Sequence, residues 1–226
     1  AEHGGAWSRY SFIGVRSEAT LSEKDGLAYW QGTAPAGAPT GIDPLEALRL
    51  SAAHLKSPQI AGLPPLTGGL VGFMGYDVVR RLERLPDLTT KDIPLPELSF
   101  MLTSDLAVLD HSDGTITLIA NAINWDGSDD RIDEAYESCV QRLDRMQADL
   151  STPLSGEAAE IPDFSLPDYI GNISGEQFKE NILKVKEEIL AGEAFQVVLS
   201  QRFAMPCQAD AIDVYRMLRL NNPSPY

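Results

Sequence analysis

The sequence predicts an α+β fold with mainly antiparallel sheets and with helices packed outside them. Extended segments occur in pairs joined by short turns, the arrangement from which antiparallel hairpins form. Amphipathic segments lie between these pairs and do not alternate one by one with strands, as a doubly wound sheet would require. No internal repeat of about 20–50 residues occurs.

Two hairpins supply most of the predicted strands. Residues 9–31 contain extended segments on both sides of the turn Lys24-Asp25-Gly26. Residues 99–110 and 115–125 flank a second turn, His111-Ser112-Asp113-Gly114. These pairs are the basis of the antiparallel prediction.

The glycine-rich stretch GGLVGFMGYD, residues 68–77, also reads as a strand. Its spacing is neither G-x-G-x-x-G nor G-x-x-x-x-G-K-[ST], and no lysine follows, so nucleotide binding is disfavoured. We expect its glycines to let another backbone approach a buried strand closely.

Four amphipathic segments predict helices. The first begins at Asp43, a suitable N-cap, with Pro44 at the first helical position and Glu46 placed to close a capping box. Ser128 is predicted to cap the second helix, which runs to about Leu150. Ser174 is predicted to cap the third, which Gly192 stops, and the fourth runs from Ala211 to Leu220.

Apolar residues at helical spacing predict the buried face of the first two helices. In the first helix they are Leu45, Ala47, Leu48, Ala52 and Leu55. In the second they are Ile132, Tyr136, Val140, Leu143 and Met146.

Residues 151–173 are rich in Pro, Ser and acidic residues and lack periodicity, which predicts a linker. It separates an N-terminal region, residues 1–150, from a second half, residues 174–226. Because the chain opens without methionine and stops as a turn begins, we expect it to be a segment of a longer protein.

Composition restricts the possible partners. The chain has 226 residues, 43% of them hydrophobic, and a formal net charge of −15, which argues against nucleic acid and anionic membranes as partners. Cys139 and Cys207 form no C-x-x-C pair, so a reduced cytoplasmic protein is expected. The three histidines are far apart, which leaves a histidine-based metal site with little support.

The stretch EAFQVVLSQRF, residues 193–203, alternates with a period of two and predicts a strand. One face carries the polar side chains of Gln196, Ser200 and Arg202. From the pattern alone, a solvent-facing edge is favoured, and a row that lines a site is the alternative.

Three further clusters have ordinary structural interpretations. Arg80, Arg81 and Arg84 favour a solvated helix face with local ion pairs. The acidic residues 126–134 lack the order of a calcium loop and suit a helix start. Residues 7–10 favour the solvent-exposed end of a strand. The rigid turn NPSPY could equally present groups to a ligand or only end a helix.

Four segments in order, SRYSFIG, PPLTGGLVGFMGYD, GEAFQVVLSQRF and NNPSPY, resemble the large subunits of anthranilate synthase. This resemblance covers essentially the whole chain and implies part of the fold of the chorismate-utilising enzymes. It implies conversion of chorismate to anthranilate and pyruvate with Mg²⁺, and ammonia supplied by a glutamine amidotransferase subunit, component II. Residues 174–226 would then begin the chorismate-binding domain.

The resemblance also implies roles for individual residues. In relatives that add water to chorismate, a lysine matching Gln196 activates the water, whereas glutamine can only form hydrogen bonds. Gln196 is therefore expected to line an active site in which ammonia attacks without a protein base.

A feedback site for tryptophan is implied by Arg9 together with Pro225 and Tyr226 of the C-terminal turn. A cation would bind the carboxylate of tryptophan, and a rigid apolar wall would bind its indole ring.

The family's Mg²⁺-binding glutamates, its catalytic histidine and its GTRxRG loop have no match here, so no catalytic or metal residue is assigned and the segment alone is expected to be inactive. Two alternatives stay open: the large subunit of aminodeoxychorismate synthase, and a non-catalytic module that senses an amino acid.

Overall fold

The computed structural model describes residues 8–153 and 168–221 and confirms the α+β prediction, because every strand pairing in it is antiparallel. The strands are β1 Tyr10–Lys24, β2 Leu27–Gly32, β3 Gly69–Met74, β4 Leu98–Asp110, β5 Thr115–Ala120, β6 Ile170–Gly171 and β7 Phe203–Ala204. The helices are α1 Pro44–His54, α2 Ile132–Ser151, α3 Gly175–Ala191 and α4 Ala211–Asn221, and a 3₁₀ turn covers Tyr76–Arg81.

Strand β4 is the centre of the main sheet. One edge of β4 pairs with β1, and β1 pairs in turn with β2. Along the other edge of β4, β3 pairs with residues 98–103 and β5 pairs with residues 105–110. Asn121 connects the two strands that share this edge, because its Nδ2 donates to the carbonyl oxygens of Thr67 at 2.7 Å and Ser104 at 3.0 Å. Both predicted hairpins are confirmed, and the pairing of β1 with β4 joins them in one sheet.

Gly72 on β3 confirms the prediction of a close backbone approach. A Cβ atom at this position would lie 1.9 Å from the carbonyl oxygen of Ser99 and 2.6 Å from the Cα of Phe100 on the adjacent β4. The expectation that β3 is a buried strand is wrong, because Val71, Phe73 and Met74 are all exposed. The glycine is needed for close pairing with β4, not for burial.

Helix α1 packs on the β1–β2 hairpin, where Ala47 is buried together with Leu21 and Ala28. Asp43 caps the helix as predicted, since its Oδ1 accepts from the backbone N–H groups of Leu45 and Glu46. The predicted capping box is wrong because the carboxylate of Glu46 binds Arg49 instead.

Four members of the predicted stripes on α1 and α2 and one predicted cap are also wrong. Ala52 on α1 is exposed. The N-cap of α2 is Arg131 rather than Ser128. On α2 itself, the side chains of Ile132, Tyr136 and Val140 are exposed. Periodicity identifies the face of a helix, but it does not say how much of that face a sheet will cover.

The described residues fall into two compact units, one within 8–153 and one within 168–221. In the second unit, the Ser174 hydroxyl caps α3 by accepting from the N–H of Gln177, and Gly192 ends the helix with φ 85°. The domain boundaries near 151–173 stay a prediction, because residues 154–167 lie outside the described ranges.

The predicted strand at residues 193–203 is wrong over most of its length. Only Phe203 and Ala204 pair, with Gly171 and Ile170 of β6, and residues 193–202 are irregular. A strand requires a neighbouring strand to which its backbone can hydrogen-bond. The neighbour β6 is only two residues long, so it pairs with only two residues of this stretch.

Candidate functional site

The predicted ligand residue Arg9 lies at the start of β1, beside the end of β4. Its carbonyl oxygen accepts from the N–H of His111 at 2.8 Å, which continues the β1–β4 pairing into the next turn. Its guanidinium carbon lies 4.8 Å from the ring centroid of Tyr10, close enough for a cation–π contact. Backbone pairing therefore holds Arg9 at one corner of the sheet.

Arg9 forms a bidentate ion pair with Asp110. Its Nε lies 3.0 Å from both carboxylate oxygens, and its Nη2 lies 2.6 Å from Oδ2. The Arg9 side chain is 53% exposed and that of Asp110 only 13%. Hydrogen bonding by Arg9, followed by hydrogen bonding from Ser112, holds the pKa of Asp110 well below its usual range.

The β4–β5 turn holds both of its aspartates through side-chain hydrogen bonds. Asp110 Oδ1 accepts from the N–H and the hydroxyl of Ser112 at 2.9 and 2.7 Å. Asp113 Oδ1 accepts from the N–H and the hydroxyl of Thr115 at 2.9 and 2.7 Å. Gly114 closes the turn with φ 75°, a conformation that favours glycine.

A cavity of about 200 Å³ opens between this turn and the loop around Pro64. Its polar walls are Arg9, Tyr10, Asp110, Asp113, Thr115 and Thr117. Gly62, Pro64 and Val108 complete the lining. The cavity thus offers one guanidinium, two carboxylates and hydroxyl groups, a set suited to a small polar ligand with charges of both signs.

The other predicted site residues are not brought to this cavity. Gln196 is exposed in the irregular stretch before β7, and Ser200 and Arg202 beside it are also exposed. Pro225 and Tyr226 lie outside the described residues. The predicted roles of Gln196 and of the three feedback residues therefore stay predictions.

The arginine cluster at residues 80–84 is only partly what the sequence predicts. Arg80 forms the expected local pair with Asp77 at 2.8 Å. Arg81 instead reaches Glu97 at 2.6 Å and Asp43 at 2.7 Å, and so joins the 3₁₀ turn to β4 and α1. Burial alone would lower the pKa of Arg81, but these two carboxylates raise it overall.

Sequence reasoning missed a buried ion pair between α2 and the sheet. Asp105 on β4 is 2% exposed, and its carboxylate binds the guanidinium of Arg142. Arg142 also donates to the carbonyl oxygen of Asn121 at 2.8 Å. A carboxylate inside the apolar run of β4 was the available signal, but the cation lies 37 residues away and spacing does not reveal it.

No group of three or more His, Cys, Asp or Glu side chains in residues 8–153 and 168–221 is placed to hold a metal ion. The acidic stretch near Asp126 is instead bound by Arg131. None of the helices in these ranges combines the length and apolar character that crossing a membrane requires.

Comparison with known proteins decides the family. The profile of the chorismate binding enzyme family matches residues 2–226, nearly the whole chain. The chain belongs to the chorismate binding enzyme family. Among members of this family, it is 52% identical over 226 residues to anthranilate synthase component 1 of Mycolicibacterium smegmatis, covering 100% of this chain and 43% of that protein.

Two more relatives agree with this assignment. The chain is 48% identical over 231 residues to anthranilate synthase component 1 of Mycobacterium tuberculosis, covering 100% of this chain and 44% of that protein. The crystal structure of anthranilate synthase component I from Streptococcus pneumoniae superposes with a TM-score of 0.77 at 25% identity, covering 100% of this chain and 48% of that one. The chain thus spans a little under half the length of these family members.

Proposed function

We propose that the chain is part of an anthranilate synthase large subunit, which converts chorismate and ammonia to anthranilate, pyruvate and water. One observation carries this proposal: the whole chain is matched, at up to 52% identity, by proteins named anthranilate synthase component 1. Ammonia would come from glutamine through a separate amidotransferase subunit, component II. The rival product, aminodeoxychorismate, is disfavoured because these relatives are named anthranilate synthase component 1.

Product analysis of the full-length protein tests this proposal. The protein is incubated with chorismate, Mg²⁺ and ammonium, and anthranilate and pyruvate are quantified by chromatography. Equal amounts of both products support the proposal. Aminodeoxychorismate would identify the rival synthase, and tryptophan binding without turnover would identify a sensing module.

Mg²⁺ is part of the proposal, but the described residues do not fit it as ligands. They contain no suitable cluster of His, Cys, Asp or Glu. Its ligands would come from the part of the family fold that this chain does not span.

Gln196 is proposed to line the chorismate site, where its amide would orient substrate by hydrogen bonds without acting as a base. We expect a Gln196→Lys variant of the full-length protein to form some hydroxylated product, because a neutral lysine could activate water. Gln201→Lys is the matched control, since the Gln201 amide donates to the carbonyl oxygen of Ile173. Aminated product alone, or no product, would contradict the role of Gln196.

Feedback inhibition by tryptophan completes the proposal, with Arg9, Pro225 and Tyr226 as binding residues. The position of Arg9 in the wall of a polar cavity supports it. We also propose a cytoplasmic location, because Cys139 and Cys207 are free thiols and free thiols are typical of reducing compartments.

A further inference from the structure

We propose that the surface between α2 and the middle of β1 binds a phosphate group, held by the guanidinium groups of Arg16 and Arg145 beside the ion pair of Arg142 and Asp105. The ligand would be inorganic phosphate or a small phosphate monoester. This inference is independent of the proposed synthase function and of the cavity at Arg9, and sequence patterns alone single out none of the three arginines that carry it.

A bulge in β1 places Arg16 next to the buried carboxylate of Asp105. The pairing of β1 with β4 shifts register between Gly14 and Arg16, which leaves Val15 without a partner on β4. Arg16 lies directly opposite Asp105 in this pairing. Residues opposite each other in an antiparallel pair project from the same face of the sheet, and bulges often re-aim side chains next to active sites. Arg16 therefore shares a sheet face with Asp105.

Helix α2 brings two more guanidinium groups to the same place. Arg142 binds the carboxylate of Asp105, and its Nη2 donates to Cys139 Sγ at 3.1 Å and to a backbone carbonyl oxygen at 2.8 Å. These bonds hold the Arg142 side chain, which is only 15% exposed, and use three of its five N–H donors. Arg145 lies three residues further along α2, so the two arginines are neighbours on one side of the helix.

A cavity of about 20 Å³ lies where these groups meet. Its charged lining consists of Arg16, Asp105, Arg142, Arg145 and Asp149. Such a volume holds one water-sized group. One oxygen of an oxyanion would therefore enter the cavity, and the others would stay at the surface beside the exposed side chains of Arg16 and Arg145.

The charge of this lining favours an anion. Its three arginines and two aspartates leave a formal charge of +1, in a chain whose net charge is −15. Arg142 already compensates Asp105. Neither Arg16 nor Arg145 has an ion-pair or hydrogen-bond partner within residues 8–153 and 168–221. Guanidinium groups from two different elements suit a group with several oxygen atoms, and arginine donates to phosphate in a bidentate manner.

The test is isothermal titration calorimetry on the full-length protein with inorganic phosphate and with methyl phosphate, at constant ionic strength. We expect wild type to bind inorganic phosphate, and Arg16→Gln and Arg145→Gln each to weaken binding about tenfold, because charge-assisted hydrogen bonds are lost. Asp149→Asn should strengthen binding severalfold, because it removes a repelling charge from the lining. Binding of both ligands supports a monoester site, whereas binding of inorganic phosphate alone supports a site for the free ion.

Arg84→Gln is the matched control, since it removes the same charge from an exposed residue outside the cavity lining. An unchanged Tm of the four variants in phosphate-free buffer serves as the folding check. Phosphate binding that is equal in wild type and in both variants of the lining arginines would overturn the inference, and so would a wild type that binds no phosphate. Neither result bears on the synthase proposal, which product analysis tests separately.

Discussion

Asp110 determines the position of Arg9, because its carboxylate joins the start of β1 to the turn after β4. Arg9 donates to it through two nitrogens, and Ser112 donates to it through its N–H and its hydroxyl. Such charge-assisted bonds are stronger than neutral ones. The candidate cavity therefore depends on a residue that the sequence predicts only as the last residue of a strand.

This pair predicts a pH dependence of stability. The folded pKa of Asp110 lies below the value of about 3.9 for an unfolded aspartate, so the stabilisation is present above that pH and is lost as the pH falls toward the folded value. We expect Asp110→Asn to lower Tm at pH 7, and the difference from wild type to shrink below about pH 4. Circular dichroism melting curves across this range provide the measurement.

Asp129→Asn is the control for this experiment because it changes the same charge on an exposed loop. A Tm difference for Asp110→Asn that stays constant from pH 7 to pH 3 would show that the ion pair does not contribute.

At the scale of elements, the ion pair of Arg142 and Asp105 attaches α2 to the sheet. Asp105 is buried on β4, and Arg142 bonds both to it and to the carbonyl oxygen of Asn121 after β5. Burying a carboxylate without its partner is costly, whereas an apolar pair of similar volume can replace a buried ion pair. The pairing of these two residues therefore joins α2 to the sheet beside the buried Cys139 and Met146.

We expect Arg142→Met to reduce the free energy of unfolding by about 3–5 kcal/mol, because the charge of Asp105 is then buried alone. The double variant Asp105→Leu with Arg142→Met should recover most of that loss. Urea unfolding measures both, and Arg145→Met, an exposed arginine on the same helix, should stay within about 0.5 kcal/mol of wild type. A double variant as unstable as the single one would contradict this account.

At the scale of the whole molecule, the two units differ in how well they are buried. Buried residues occur on β1, β4, α1 and α2, whereas none occurs in the described residues 168–221. In that second range Leu190 and Phe195 are 86% and 95% exposed. Contiguous exposed apolar side chains usually mark a surface that another segment covers.

We propose that the remaining part of the family fold covers this surface. We expect amide hydrogen exchange in α3 and α4 to be fast in the 226-residue chain and much slower in the full-length protein, because burial protects helical amides. Mass spectrometry measures both proteins, with β4 as the internal reference. Equal protection of α3 and α4 in the two proteins would contradict the proposal.

Local signals in the sequence were sufficient for part of the fold and the site. The Ser174 cap, the Gly192 stop and the turn at 111–114 were predicted correctly, because each depends on residues only a few positions apart. The close approach of the β4 backbone at Gly72 was also predicted from a local signal, the spacing of glycines in residues 68–75. The position of Arg9 at a strand start was also predictable, whereas its partner Asp110 was not.

By itself, the sequence determined the α+β class, the hairpins and most helix ends of this protein, because periodicity, caps and turns act over short distances along the chain. Only the tertiary structure decided which charges meet: Arg9 with Asp110, Arg142 with Asp105, and Arg81 with Glu97. It also decided that residues 193–202 form no strand. Ion pairs and strand pairing depend on which distant segments the fold brings together, and local sequence patterns do not predict those contacts.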